Sequence, residues 1–267
     1  MDAVDINVSL VHHLIREQFP QWACLAVVPV EPQGWDNRTF RIGRDLLARL
    51  PSGSAYAFQV EKEQFWLPRL APHLPVSIPK PVAMGAPAMG YPWRWSIYAW
   101  IDGEPAKKAS IDDFAGFARE TACFLKALHA IDAAGGPSAG QHSFFRGGSL
   151  TAYDQETREA INRLDDRSER TCAEKLWNAG IGTEWDSAPV WVHGDMAAGN
   201  LLVSQGRLCG VIDFGCLAVG DPACDLAIAW AFFEDEARED FRQALGDRKS
   251  TRLNSSHQSV SRMPSSA

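Results

Sequence analysis

Apolar and polar positions change period several times along the chain, and each change marks an element. Short β-prone runs at 25–30, 38–42 and 46–50 are separated by the turn formers Pro32, Gly34 and Gly43 and predict a small sheet. Between residues 56 and 70, Phe58, Phe65, Trp66 and Leu70 fall near helical spacing with charges between them, which predicts one helix packed on that sheet. Seven prolines between Pro68 and Pro92 forbid a long helix and predict a rigid extended connection. Residues 95–101 read as a further strand, and Asp102-Gly103 turns the chain out of it.

The second half changes to a period of 3.6. Ser110 with Asp113 three residues on has the form of a capping box, and Phe114, Phe117, Ala118, Thr121, Leu125 and Leu128 follow at helical intervals until Gly135-Gly136-Pro137. Residues 151–180 predict one or two polar amphipathic helices. The apolar runs 200–203 and 208–212 flank residues 204–207, the pattern of a hairpin with polar side chains at both ends. Asp221-Pro222 then opens a last helix expected to reach Leu245. The plan is an α+β protein of two lobes: a sheet-based N-terminal lobe over 1–101, including the hinge strand, and a larger, mostly helical lobe over 102–246.

Residues 247–267 break this pattern, with seven Ser in 21 positions and no apolar periodicity. The string resembles a sequencing adapter read in frame, so we expect a non-native or disordered tail and a missing natural C-terminus. The tail carries +3 of the chain's net −7, which leaves −10 on residues 1–246. That balance argues against nucleic acid as a partner, because phosphate-backbone binding calls for a basic patch. No apolar run approaches a membrane span and the first ten residues lack the basic start of a secretory signal, so no membrane partner and a cytoplasmic location are expected. The six cysteines never fall at Cys-x-x-Cys spacing and read as reduced, mostly buried thiols rather than zinc ligands.

The chemistry concentrates in His193-Gly194-Asp195-Met196-Ala197-Ala198-Gly199-Asn200 and, past the hairpin, Ile212-Asp213-Phe214-Gly215. Phosphoryl transfer from a nucleotide needs a carboxylate to orient the attacking hydroxyl and accept its proton. It also needs an amide and a second carboxylate to hold magnesium against the triphosphate. Asp195, Asn200 and Asp213 fit those roles in that order, and the hairpin can bring Asn200 and Asp213 together at one metal.

With Gly220-Asp221-Pro222-Ala223-Cys224-Asp225-Leu226-Ala227 added, the sequence resembles the aminoglycoside phosphotransferase-like kinases, relatives of choline kinases and more distantly of protein kinases. The resemblance implies a protein-kinase-like two-lobed fold and transfer of the γ-phosphate of ATP or GTP, with Mg2+, to a small-molecule hydroxyl such as that of an aminoglycoside antibiotic. It implies that Asp195 is the catalytic aspartate, that Asn200 and Asp213 are the magnesium ligands, that His193 fixes the loop and that Asp225 is a structural acid. It also implies a small-lobe cation for the phosphates with a glutamate to hold it. The usual lysine is replaced by Arg49 in Leu46-Leu47-Ala48-Arg49-Leu50, with Glu63 as its partner and Glu61 as a weaker candidate. A guanidinium can bridge phosphate oxygens bidentately. The phosphate loop, Gln33-Gly34-Trp35-Asp36-Asn37-Arg38, departs from the repeated-glycine form by holding a single Gly.

By the same resemblance the base lies against the backbone of Ala99, Trp100 and Ile101. Trp93, Trp95 and Trp100 either line that pocket or fill the core. His129, His12, His13 and His142 carry no assigned chemistry. The acidic cluster Glu234, Asp235, Glu236, Glu239 and Asp240 reads as a solvated helix face or as an attractor of polycations. The competing expectations are a non-catalytic nucleotide-binding module and an inactive truncated fragment.

Overall fold

A computed structural model describes residues 4–183 and 185–246, and the expectation for the tail 247–267 lies outside them. The chain opens with a helix the sequence reading does not anticipate, α1 (Val8–Gln18), whose cap residue Asn7 accepts the Leu10 N–H at 3.0 Å. Val11, Leu14 and Ile15 form its buried stripe. They pack on Phe40, Ile42, Ala48, Leu50, Trp95 and Ile97 of an antiparallel sheet. Its strands are β1 (Val27–Pro29), β2 (Asn37–Ile42), β3 (Leu46–Pro51), β4 (Pro81–Gly85) and β5 (Trp95–Ala99), in the order β1-β2-β3-β5-β4.

Two expectations for this lobe are corrected. The proline-rich connection contains a strand, β4, because it lies at the sheet edge with Pro81 as its first residue, where a missing N–H costs no ladder bond. The helix expected over 56–70 is present as α2 (Ser54–Ala57) and α3 (Gln59–Leu70), but its inward face is Gln59, Val60, Glu63, Leu67 and Leu70. Phe65 is 50% exposed, stacking under the Arg69 guanidinium. The aromatic spacing misleads because the face toward the sheet is the one that delivers Glu63 to Arg49.

In the larger lobe β6 (Glu104–Pro105) precedes the long helix α4 (Phe114–His129). Its cap is Asp113, which accepts the Gly116 N–H at 2.7 Å, in place of the expected Ser110, and it ends at His129, before Gly135. The two expected polar helices are α5 (Asp154–Asn162) and α6 (Arg167–Ile181). Strand β7 (Val190–Val192) pairs with β10 (Ala218–Gly220). Strands β8 (Leu201–Ser204) and β9 (Arg207–Val211) form the expected hairpin, turning through Gln205 and Gly206, both at positive φ. The single last helix is corrected to three pieces, α7 (Ala223–Leu226), α8 (Ile228–Ala231) and α9 (Asp235–Leu245). The chain breaks at Phe232, where it leaves helical geometry and both Phe232 and Phe233 pack against Phe114 and Phe117.

Leu67 and Leu70 of α3 join Phe117, Phe124, Leu125, Leu128, Phe233 and Phe241 in the large-lobe core, so one helix serves both lobes. The expectation of mostly buried thiols is also corrected: Cys24, Cys123 and Cys172 are exposed and Cys209, Cys216 and Cys224 half-buried. Acidic residues of α9 face solvent or form ion pairs, Asp240 with Arg119 of α4 and Glu239 with Arg242 one turn on.

Leu125→Ala, at a side chain with no exposure, is expected to cost about 2–5 kcal/mol in urea denaturation, against under about 1 kcal/mol for Phe65→Ala on the outer face of α3.

Candidate active site

The turn after β7 is built around Asp225. Its Oδ2 accepts the backbone N–H of His193 at 2.9 Å and its Oδ1 that of Gly194 at 2.7 Å, so a carboxylate with no exposure receives two main-chain donors that have no strand partner. His129 of α4 approaches the same carboxylate at 3.3 Å. Gly194 has φ +82°, and a Cβ there would meet the Cys216 carbonyl at 2.6 Å, so both conformation and space require glycine. The buried His193 ring is held at both nitrogens: Nε2 donates to the Ile212 carbonyl at 3.0 Å and Nδ1 accepts the Asp195 N–H at 3.2 Å. That pattern assigns the neutral Nε2–H tautomer and ties the loop bearing Asp195 to the residue before Asp213.

Asp195 and Asn200 meet directly. Asn200 Nδ2 donates to the Asp195 carbonyl at 2.9 Å and to its Oδ2 at 3.0 Å. At the far end of the hairpin the Ile212 N–H donates to the Asn200 carbonyl at 2.9 Å, so Asp213 emerges beside Asn200 as the spacing predicts. Asp213 itself has φ +67°, a left-handed conformation that Asp tolerates better than most residues.

Arg49 reaches this cluster from β3. Its Nη1 donates to Glu63 Oε1 at 3.0 Å and Oε2 at 3.3 Å, and its Nη2 pairs with Asp213 Oδ1. Glu63, 2% exposed, also accepts the Tyr98 hydroxyl. Glu61 is excluded as the partner, since it lies on the surface and pairs with Arg94. One guanidinium therefore joins a helix of the small lobe to the loop after the hairpin. Burial opposes charge on Arg49, but the Asp213 and Glu63 carboxylates outweigh it and raise its pKa. Burial likewise disfavours the Asp213 anion, and Arg49 outweighs it, holding that carboxyl below the usual range. Asp36, in the loop before β2, is raised by burial and by the neighbouring Asp213 carboxylate.

The donors suit a hard divalent cation. With Nδ2 of Asn200 committed to Asp195, its Oδ1 has no protein donor among the described residues and could ligate a cation. Among the described residues no three His, Cys, Asp or Glu side chains form a metal cage. Magnesium accepts such a partial set, taking the rest of its coordination from phosphate oxygens and water.

Three contributors carried no individual role in the sequence, Asn37 entering only as part of the phosphate loop. Lys62 Nζ donates to the carbonyls of Gly215 at 2.8 Å and His142 at 3.0 Å, strapping α3 to the large lobe, and burial lowers its pKa to about 8. His142 Nε2 donates to the Ser138 carbonyl at 2.7 Å, which leaves Nδ1 facing Lys62 at 3.3 Å. Asn37 is buried beside Arg49. None has a sequence signature, because each acts through a contact between distant segments.

At the hinge, the Ala99 N–H donates to Lys80 at 2.9 Å and the Trp100 N–H to Asp45 at 2.8 Å, while the Ile101 N–H has no backbone partner among the described residues. Trp95 and Trp93 belong to the small-lobe core. Trp100 stacks on Arg41 and bonds Asp102 at 2.9 Å.

Two lobes, a strand hinge between them and an Asp-Asn-Asp cluster under a cationic side chain define a kinase-like phosphotransferase architecture. The model of the phosphotransferase enzyme family matches residues 28–257, and the chain belongs to that family. An aminoglycoside 3'-phosphotransferase of Escherichia coli is 29% identical over 190 residues, 68% of this chain and 66% of that protein, so the chain spans just under two thirds of this curated relative. The solved GDP and kanamycin complex of APH(2")-IIia has a TM-score of 0.74 at 22% identity, covering 92% of this chain and 86% of that one. The macrolide 2'-phosphotransferase MphH of Brachybacterium faecium gives 0.64 at 22%, covering 90% and 82%. At such identities the two structures establish the shared fold.

Because burial holds Lys62 near 8 against a usual 10.5, the unfolded chain binds that proton more tightly between those values. The stability contributed by this group therefore rises with pH across that window. Lys62→Met is expected to remove the rise, seen as the difference between the two proteins in urea denaturation from pH 7.5 to about 10.5.

Proposed function

We propose that the protein transfers the terminal phosphoryl group of ATP or GTP to a hydroxyl of a small molecule, with an aminoglycoside-type acceptor as the leading class. The observation that carries this reading is the joining of Asp195, Asn200 and Asp213 at one end of the β8–β9 hairpin, facing the Arg49–Glu63 pair. Asp195 orients the acceptor hydroxyl and takes its proton as the oxygen bonds to phosphorus, and the bond to the bridging oxygen breaks to release the nucleoside diphosphate. The proton then passes to solvent. Asn200 Oδ1 and the Asp213 carboxylate would hold magnesium, which when bound supplies charge neutralisation at the triphosphate.

Arg49 aligns the phosphates with its fork held by Glu63. The Ile101 N–H, unpaired among the described backbone groups, is the donor we assign to the base edge. Asp36 lies close enough to Asp213 to repel it, so we expect a cation to relieve that repulsion as it binds. An aminoglycoside acceptor is favoured by the E. coli relative and by the −10 charge of residues 1–246, which draws polycations. No helix among the described residues is long and apolar enough to cross a membrane.

Asp195→Ala is expected to lower turnover on the order of 10²-fold or more while leaving nucleotide affinity within roughly threefold. An acceptor panel of aminoglycosides, macrolides and amino alcohols, read by diphosphate release, checks the reaction and its substrate class together. Nucleotide binding without transfer to any acceptor would identify a non-catalytic binding module instead. Asp213→Ala is expected to abolish magnesium-dependent nucleotide binding in calorimetric titration, and an unchanged titration would remove Asp213 from the metal site.

A further inference from the structure

Arg49 is surrounded on a third side. Asn37, the first residue of β2, is 6% exposed and sits at the exit of the loop 33–36. Its amide orientation follows from its neighbours: with the oxygen toward the guanidinium, Oδ1 accepts from Nη2 of Arg49 at 3.0 Å and from Nε at 3.1 Å. The fork is then engaged along two edges, the Nε–Nη2 edge by Asn37 and the Nη1 end by Glu63, with Nη2 also paired to Asp213.

We propose that Asn37 is the positioning residue that makes arginine, rather than lysine, the phosphate-facing cation of this chain. The inference rests on the phosphotransfer reading, in which the triphosphate lies on the Asp213 side of Arg49. An ammonium carries its three donors on one atom and has no second edge, so it cannot meet Glu63, Asp213 and Asn37 from the places the guanidinium does. A lysine at position 49 would strand the buried Asn37 oxygen without a donor. Conversely, losing the Asn37 oxygen leaves the Nε–Nη2 edge without its acceptor, and the plane that faces the phosphates is then held only by the links to Glu63 and Asp213. Asn37 also ties this control to the phosphate loop: movement of residues 33–36 over a nucleotide is felt at Arg49 through one side chain. The single-glycine loop and the arginine, two separate departures from the usual pattern, are thereby one coupled arrangement.

The test is a double-mutant cycle on the full chain with Arg49→Lys, Asn37→Leu and the pair, titrated with magnesium ATP and magnesium GTP by calorimetry and assayed for kcat and KM. Urea denaturation separates folding from binding. Each single variant is expected to weaken nucleotide affinity roughly tenfold or more, and the pair to be no worse than the weaker single, a coupling of at least about tenfold. Should Asn37→Leu not fold, Asn37→Ala removes the same oxygen with less bulk. Additive losses, or an Asn37 variant that lowers stability while nucleotide affinity and KM stay unchanged, would overturn the inference while leaving the phosphotransfer reading intact. Failure of the unsubstituted protein to bind either nucleotide would overturn both.

Discussion

The guanidinium of Arg49 is the point at which the two lobes become one site. It is nearly buried, bonded to Glu63 from α3 and to Asp213 from the loop after the β8–β9 hairpin. A cation in such a place is tolerable only because carboxylates meet it, and each carboxylate is in turn held: Glu63 by Tyr98, and Asp213 by a hairpin whose ends are tied through Ile212 and Asn200. Removing Arg49 would leave Glu63 and Asp213 without their shared cation rather than a simple gap, so the network favours one arrangement over its alternatives. The helix carrying Glu63 also places Leu67 and Leu70 in the large-lobe core and straps itself there through Lys62. Ion pairing, apolar packing and a single ammonium therefore fix the same helix from three directions.

Much of the architecture is legible in the pattern of apolar positions because strand and helix periods impose themselves locally. The runs at 38–42 and 46–50, the long helix α4 and the hairpin at 201–211 all follow from spacing and turn residues. What is not legible depends on distant partners. The helix α1 has a clear cap in Asn7 and a stripe in Val11, Leu14 and Ile15, yet nothing nearby says a sheet will cover it. Prolines near residue 81 argue against a strand until the sheet places that strand at its edge. The aromatic spacing of α3 points to the wrong face because Glu63 is buried for the sake of Arg49, a trade that no single-helix pattern records.

The same division holds for the site. Asp195, Asn200 and Asp213 stand out because their spacing about a hairpin is itself a geometric statement, and the hairpin forms as the turn at Gln205-Gly206 requires. Glu63 is distinguishable from Glu61 only by which face of α3 each occupies. Asn37 and Lys62 leave no trace in sequence spacing, since an amide beside a guanidinium and an ammonium beside two carbonyls need only the three-dimensional neighbours that folding supplies.

The left-handed backbone at Asp213 narrows what evolution can do with that position. Its φ of +67° admits Gly, Asn and Asp at little cost and penalises β-branched and bulky side chains whatever their chemistry. Of the three, only aspartate carries charge, and the longer glutamate would meet both a conformational cost and a displaced carboxylate. Drift at this codon is therefore channelled toward two neutral residues. Each keeps the local backbone while surrendering the anion that Arg49 meets, so a descendant that has lost its chemistry is expected to retain its shape.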